Sequence, residues 1–367
     1  MVFSRRLFLA SLPGVCAAAG AGKGALTPSA AKRYNDPATD LPVIRLTNPE
    51  FSSRLPTHYN RAIAKRGSFL VCASDLSGRM EAYRLDLKNG QARQLTESEN
   101  LEASSLTLLA DERGFCYLDG GRLFSSSLTS LRPREVYRPD GGFEAGWGMS
   151  VTEDGLFALV VERKGTRHRL QLVRMLDGSA STLAEADDEM RDPVPRPRRA
   201  AALYRRAGGI WLANFDAKQN YRLRAAEGEC GAANWSPDGR SVLYLNLPAD
   251  SHKLRNIREF TPDTNEDKAV ADTSQFAGLA CNGDASVFVG ASGSKASPYV
   301  LLLVRAVKRE FTLCEHRATD PSMVAPVFSP NSQQVFFTSD RDGKPAIYSM
   351  QVDKLVEKTD SPGTPAP

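Results

Sequence analysis

The chain contains four histidines, and histidine is the side chain best suited to move a proton near neutral pH or to ligate a metal. They are His58, His168, His252 and His316. No two of them share a metal-ligand spacing, and no Cys-x-x-Cys pair stands nearby to complete a site. His58 opens the run His58-Tyr59-Asn60-Arg61, just ahead of a strongly apolar stretch. It reads equally as a hydrogen-bonded structural residue and as a ligand contact. His168 lies in the charged run Arg167-His168-Arg169 and is expected to be exposed. His252 reads as a loop residue and His316 as the end of an outer strand.

Other chemistry-bearing residues are sparse. Arg196, Arg198, Arg199, Arg205 and Arg206 form one basic stretch. It reads first as a solvated loop and second as a rim that attracts anions, with Arg205 as a candidate contact. Trp147 sits between Gly146 and Gly148. It reads first as packing at a channel wall and second as a platform for a sugar ring. Asp187-Asp188-Glu189 is expected to be solvated rather than bound to calcium. There is no Gly-x-Ser-x-Gly elbow and no phosphate-binding glycine loop. A net charge of +4, without a dense basic cluster elsewhere, excludes a nucleic-acid footprint.

These residues must be positioned by a repeating frame. A turn motif recurs about every 35–45 residues, the signature of a repeat architecture. Its clearest copies are Trp235-Ser236-Pro237-Asp238-Gly239 and Phe328-Ser329-Pro330-Asn331, each followed by a β-branched and aromatic run. The 367 residues, 41% hydrophobic and 25% charged, suffice for a large core. The pattern predicts an all-β, seven-bladed β-propeller with four-stranded blades. The seventh unit lacks an outer strand. The piece 42–47 is predicted to supply it and so to close the ring.

The flanks read differently. Residues 1–19 fit a twin-arginine signal peptide, with Arg5-Arg6, a short apolar run and Ala17-Ala18-Ala19. Cleavage near Ala19 is favoured over lipidation of Cys16. Residues 20–40 read as a linker, 41–353 as one propeller domain and 354–367 as a disordered tail. A bacterial periplasmic or secreted location follows, and no transmembrane segment is expected. Maturation leaves Cys72, Cys116, Cys230, Cys281 and Cys314. An odd number cannot all pair, and Cys72, Cys116 and Cys314 sit in strand-like apolar runs, so free buried thiols are expected.

Several segments together resemble the oligogalacturonate lyase family. They are His58-Tyr59-Asn60-Arg61, Leu70 to Gly78, Tyr83 to Leu87, Leu109-Ala110-Asp111-Glu112-Arg113, and the last unit from Phe328 to Tyr348. The resemblance implies a seven-bladed propeller that cleaves short oligogalacturonates by β-elimination. It further implies a histidine base, a manganese ion held by His and Gln, and assisting arginines. This chain departs at those places. Gly231-Ala232-Ala233 stands where the basic histidine belongs, Ala277-Gly278 where one metal ligand belongs, and Ser322 to Pro326 where a ligand pair belongs. Gly208-Gly209 replaces an expected arginine. No manganese or other cofactor is therefore expected.

The expectation is an exported, oligogalacturonate-lyase-like propeller that acts on or recognises uronate-containing oligosaccharides. Its candidate contacts are His58, Asn60, Arg61, Trp147 and Arg205. The alternative is a non-catalytic, TolB-like envelope propeller that serves as a protein- or sugar-binding scaffold.

Overall fold

The structure is a computed structural model that describes residues 22–356, apart from Ser251 and Ser274. The expected signal peptide, Cys16 and nearly all of the expected tail lie outside the described residues. No described helix is long and apolar enough to cross a membrane.

The chain is all-β, arranged as a propeller. Its strands form six hydrogen-bonded sheets of five, four, eight, five, four and four strands. The eight-stranded sheet is two antiparallel runs, 144–186 and 190–222. They are joined through one parallel pairing, Trp147 opposite Arg191. The sheets therefore do not reproduce seven separate four-stranded units, as the repeat predicts.

Each sheet is covered on both faces by its neighbours, which explains the sequence. Phe69–Ser74 and Gly114–Asp119 are buried at every position. Strands covered on both sides read as continuous apolar runs rather than as alternation. Val71 and Ala73 pack with Leu106, Phe115 and Tyr117 of the following sheet. Burying a side chain such as Phe115 contributes about 1.5–3 kcal/mol.

The recurring turn works through local bonds. Asp238 Oδ1 accepts from Ser236 Oγ (2.6 Å) and from the Arg240 amide (3.0 Å). Asn331 does the same with Ser329 and Gln333. The short side chain fixes the turn by bonding backbone two residues on.

Both ends of the chain meet in one sheet. Pro42–Arg45 pairs antiparallel with Ala346–Gln351, with Val43 opposite Met350. The outermost strand of that sheet is Lys32–Asn35, which pairs with Pro42–Arg45. The piece 42–47 thus joins the last sheet as predicted, one strand further in. The expected linker is corrected too. Leu26–Thr27 pairs with Ala92–Gln94, so the described part of 20–40 adds edge strands to the first and last sheets. Lys32–Asn35 is polar apart from Tyr34, which an edge strand permits.

Candidate functional site

Three inner strands and one loop converge near the propeller axis. The loop carries His58 to Arg61. The strands are Glu144–Val151, Met190–Pro195 and Glu229–Trp235. They surround two adjoining hollows that share Asp192 and Arg205.

Asp192 and Arg205 form the hinge between the two. Arg205 Nε and Nη2 each lie 2.7 Å from Asp192 Oδ2. Arg205 Nη1 donates to the Cys230 and Gly231 carbonyls at 3.2 and 2.9 Å. One guanidinium thereby ties two neighbouring inner strands. Asp192 adopts a φ of 52°, the left-handed region that a non-glycine residue enters at a cost. Gly148 makes room for this arrangement. At its φ of 124°, a Cβ would fall 2.6 Å from Pro193 Cδ and 2.9 Å from Tyr59 Oη.

The first hollow, of about 340 Å³, is lined by His58, Arg205, Gly231, Ala277, Gly278 and Ser322, among others. The separated segments where the resemblance places a base and metal ligands therefore meet in one cavity. They supply Gly, Ala, Ser and Pro there. His58 is the only described imidazole on its wall. Its Nε2 lies 3.5 Å from Ala233 O, and its ring meets Tyr59 edge to face at 5.2 Å. Burial holds the His58 pKa below its ordinary value, against the opposing pull of Asp192. Manganese prefers oxygen and imidazole donors. Glycine and alanine side chains offer none; His58, Asp192 and Glu229 line the cavity, but no described group of three or more His, Cys, Asp or Glu could hold a metal ion. The residues present do not fit the ion.

The second hollow, of about 450 Å³, is lined by Tyr59, Glu102, Trp147, Glu189, Arg191 and Arg205, among others. Trp147 is 48% exposed, so it is no core residue. Its indole stacks on His168 at 5.9 Å, and the Arg163 guanidinium lies 5.4 Å from the ring centre. Burial raises the Tyr59 and Glu102 pKa values.

The remaining candidates fall elsewhere. Asn60 is buried and donates to Thr57, Ser104 and Met149. Arg61 donates to the Leu108 and Thr152 carbonyls. Both brace neighbouring sheets instead of facing the hollows. His168 is buried, contrary to expectation, because Trp147 from a preceding strand covers it. His316 is also buried; its Nε2 lies 3.1 Å from Ser292 O and its Nδ1 accepts from the Ala318 amide. The basic stretch is no solvated loop throughout. Arg196 packs on Trp235, and Arg206 packs on Trp211 while pairing with Asp188. All five described cysteines are free, and burial pushes Cys72 and Cys116 up to about 12. Sequence reasoning missed Tyr59, Asp192 and Arg191. The Asp192-Pro193 step was the one local hint, because a residue before proline is conformationally restricted.

An apolar cavity of about 330 Å³ lies apart from this site, between residues 25–30 and the first sheet. No charged side chain lines it.

Comparisons with known proteins agree with the sequence resemblance. The model of the oligogalacturonate lyase family matches residues 21–164. An oligogalacturonide lyase of Pectobacterium atrosepticum is 26% identical over 385 residues, covering 90% of this chain and 98% of that protein. The crystal structure of an oligogalacturonate lyase from Vibrio parahaemolyticus superposes with a TM-score of 0.84 at 25% identity, covering 90% of this chain and 99% of that one. An oligogalacturonate lyase in complex with manganese shares the fold, with a TM-score of 0.86 at 23% identity, covering 92% and 100%. The chain is thus similar to oligogalacturonate lyases along nearly its whole length. The segments that meet in the first hollow without donors all lie beyond the stretch that the family model matches.

Proposed function

We propose that this is an exported propeller of oligogalacturonate-lyase type that recognises uronate-containing oligosaccharides without the family's metal-assisted elimination. We count the eight-stranded sheet as two blades, which makes seven. One observation carries the functional reading. The cavity that gathers His58, Asp192 and Arg205 is walled by Gly, Ala, Ser and Pro where the resemblance implies a base and metal ligands. β-Elimination removes the C5 proton of a uronate, breaks the bond from C4 to the leaving oxygen and leaves a C4–C5 double bond. That requires a base and a cation against the carboxylate. Beyond those residues the cavity keeps one imidazole, the Glu229 carboxylate and one arginine already paired to Asp192. Bacterial export through the twin-arginine route, into the periplasm or beyond, is part of this reading and rests on residues 1–19 of the sequence.

The test uses purified protein with trigalacturonate, with and without manganese. Calorimetry follows binding, and ultraviolet absorbance follows the unsaturated product. Binding without an absorbance rise is the expected result. A manganese-dependent rise that His58→Ala abolishes would overturn the reading and restore the lyase.

A further inference from the structure

We propose that the cleft between Trp147 and Arg191 is a uronate subsite, in which one sugar ring stacks on the indole and its carboxylate is taken by the Arg191 guanidinium. The proposal rests on the oligosaccharide-recognition reading above and assigns the ligand's charge to one residue.

A guanidinium has five N–H groups. Arg205 directs Nε, Nη1 and Nη2 to Asp192 and two carbonyls. Arg61 is bonded to two carbonyls, and Arg206 is paired with Asp188 and stacked on Trp211. Arg191 differs. Its only described partner is Glu189, at 3.6 Å, and both side chains are about half exposed. Its fork is open for the two parallel bonds that a carboxylate accepts.

Trp147 and Arg191 face each other as register partners across the single parallel pairing of the eight-stranded sheet, and both line the same cleft. Arg163 and His168, which support the indole, are themselves cross-strand partners on one sheet face. They support the indole beside the cleft that it lines. A flat aromatic platform beside an open guanidinium fits a pyranose bearing a carboxylate. Glu102 and Glu189 oppose an anion here, so a bound carboxylate must displace Glu189 from Arg191.

Calorimetry on the whole protein tests this, with trigalacturonate and its methyl ester as probes. The native protein should prefer the acid. Arg191→Gln should weaken acid binding about tenfold or more and abolish the preference, as loss of a charge-assisted bidentate contact does. Glu189→Gln should tighten acid binding. Trp147→Ala should weaken both probes. A native protein that binds the acid while Arg191→Gln and Glu189→Gln leave its affinity unchanged would overturn the subsite and leave oligosaccharide recognition standing. A native protein that binds neither probe would overturn both.

Discussion

Arg205 and Asp192 share a 2.7 Å ion pair in which the arginine's remaining contacts run to carbonyls of the next inner strand. Asp192 holds this position with left-handed backbone, φ 52°. The pair thus joins two neighbouring inner strands and divides two hollows. It is partly buried, so it matters more than an exposed pair, whose median contribution is about 0–1 kcal/mol.

Backbone conformation and ion pairing combine at Asp192. Asparagine tolerates left-handed backbone and keeps an acceptor, whereas alanine does neither. Asp192→Ala should therefore cost about 2–4 kcal/mol, the sum of backbone strain and an arginine left short of its partner. Asp192→Asn should cost about half as much. Urea denaturation of the two variants checks the order. Equal losses would mean that neither the left-handed backbone nor the retained acceptor contributes.

Gly148→Ala should be among the most damaging single changes near the site. The added Cβ would meet Pro193, Tyr59 and the Asp192 amide at 2.6, 2.9 and 3.1 Å, and φ 124° is a glycine conformation. A loss of about 3 kcal/mol is expected from overpacking plus strain. Ligand affinity should fall as well, because Tyr59 and Asp192 line the cleft. A melting curve and a titration on the same sample would show whether the two losses go together.

The histidines give the protein a pH signature. Burial lowers the pKa values of both His58 and His316. Below about pH 6.5 the unfolded chain takes up protons on these residues while the native state does not. Stability is therefore complete above about pH 6.5 and falls as pH drops toward the depressed native values. The slope can reach about 1.4 kcal/mol per pH unit for each fully neutral histidine. Carboxylates of ordinary pKa titrate lower. Glu102, raised by burial, works in the opposite direction as pH falls, so the two histidines must outweigh it for stability to decline between roughly pH 6.5 and 5. Denaturation midpoints across that window should decline, and NMR of the His316 ring should show no titration near pH 6.5. A flat stability profile would contradict the buried neutral state.

What the sequence revealed and what it hid follow from range. The Ser236–Asp238 and Ser329–Asn331 turns were legible because their bonds close within five residues. The all-β architecture was legible for the same reason. Strands such as Phe69–Ser74 carry their burial in their own composition. The site was less legible because its geometry is non-local. His168 looks exposed until Trp147 covers it, 21 residues away. Asn60 and Arg61 look like ligand contacts until carbonyls from Leu108, Met149 and Thr152 claim their donors. Arg191 carries no local mark, and only the register opposite Trp147 singles it out. Lys32–Asn35 is polar enough to pass for linker, since an edge strand needs no apolar face of its own.

Ring closure offers the last test. Val43 is fully buried and sits opposite Met350 in a cluster with Val335, Phe337 and Tyr348. Thr47 Oγ1 accepts from the Ile347 amide at 3.0 Å, and Arg45 pairs with Asp342 at 3.0 Å. Val43→Ala should cost about 2 kcal/mol through the lost methyl groups and the cavity they leave. Val43→Asp buries an unpaired carboxylate and should cost more than about 4 kcal/mol. The difference has a structural reading beyond its size. If Pro42–Arg45 detaches, Ala346–Gln351 becomes an open edge, and open edges pair with other chains. Val43→Asp should therefore show self-association by light scattering at concentrations where Val43→Ala stays unchanged from the native protein. If both variants lose equal stability and neither associates, the first strands are an accessory to the last sheet and the ring closes without them.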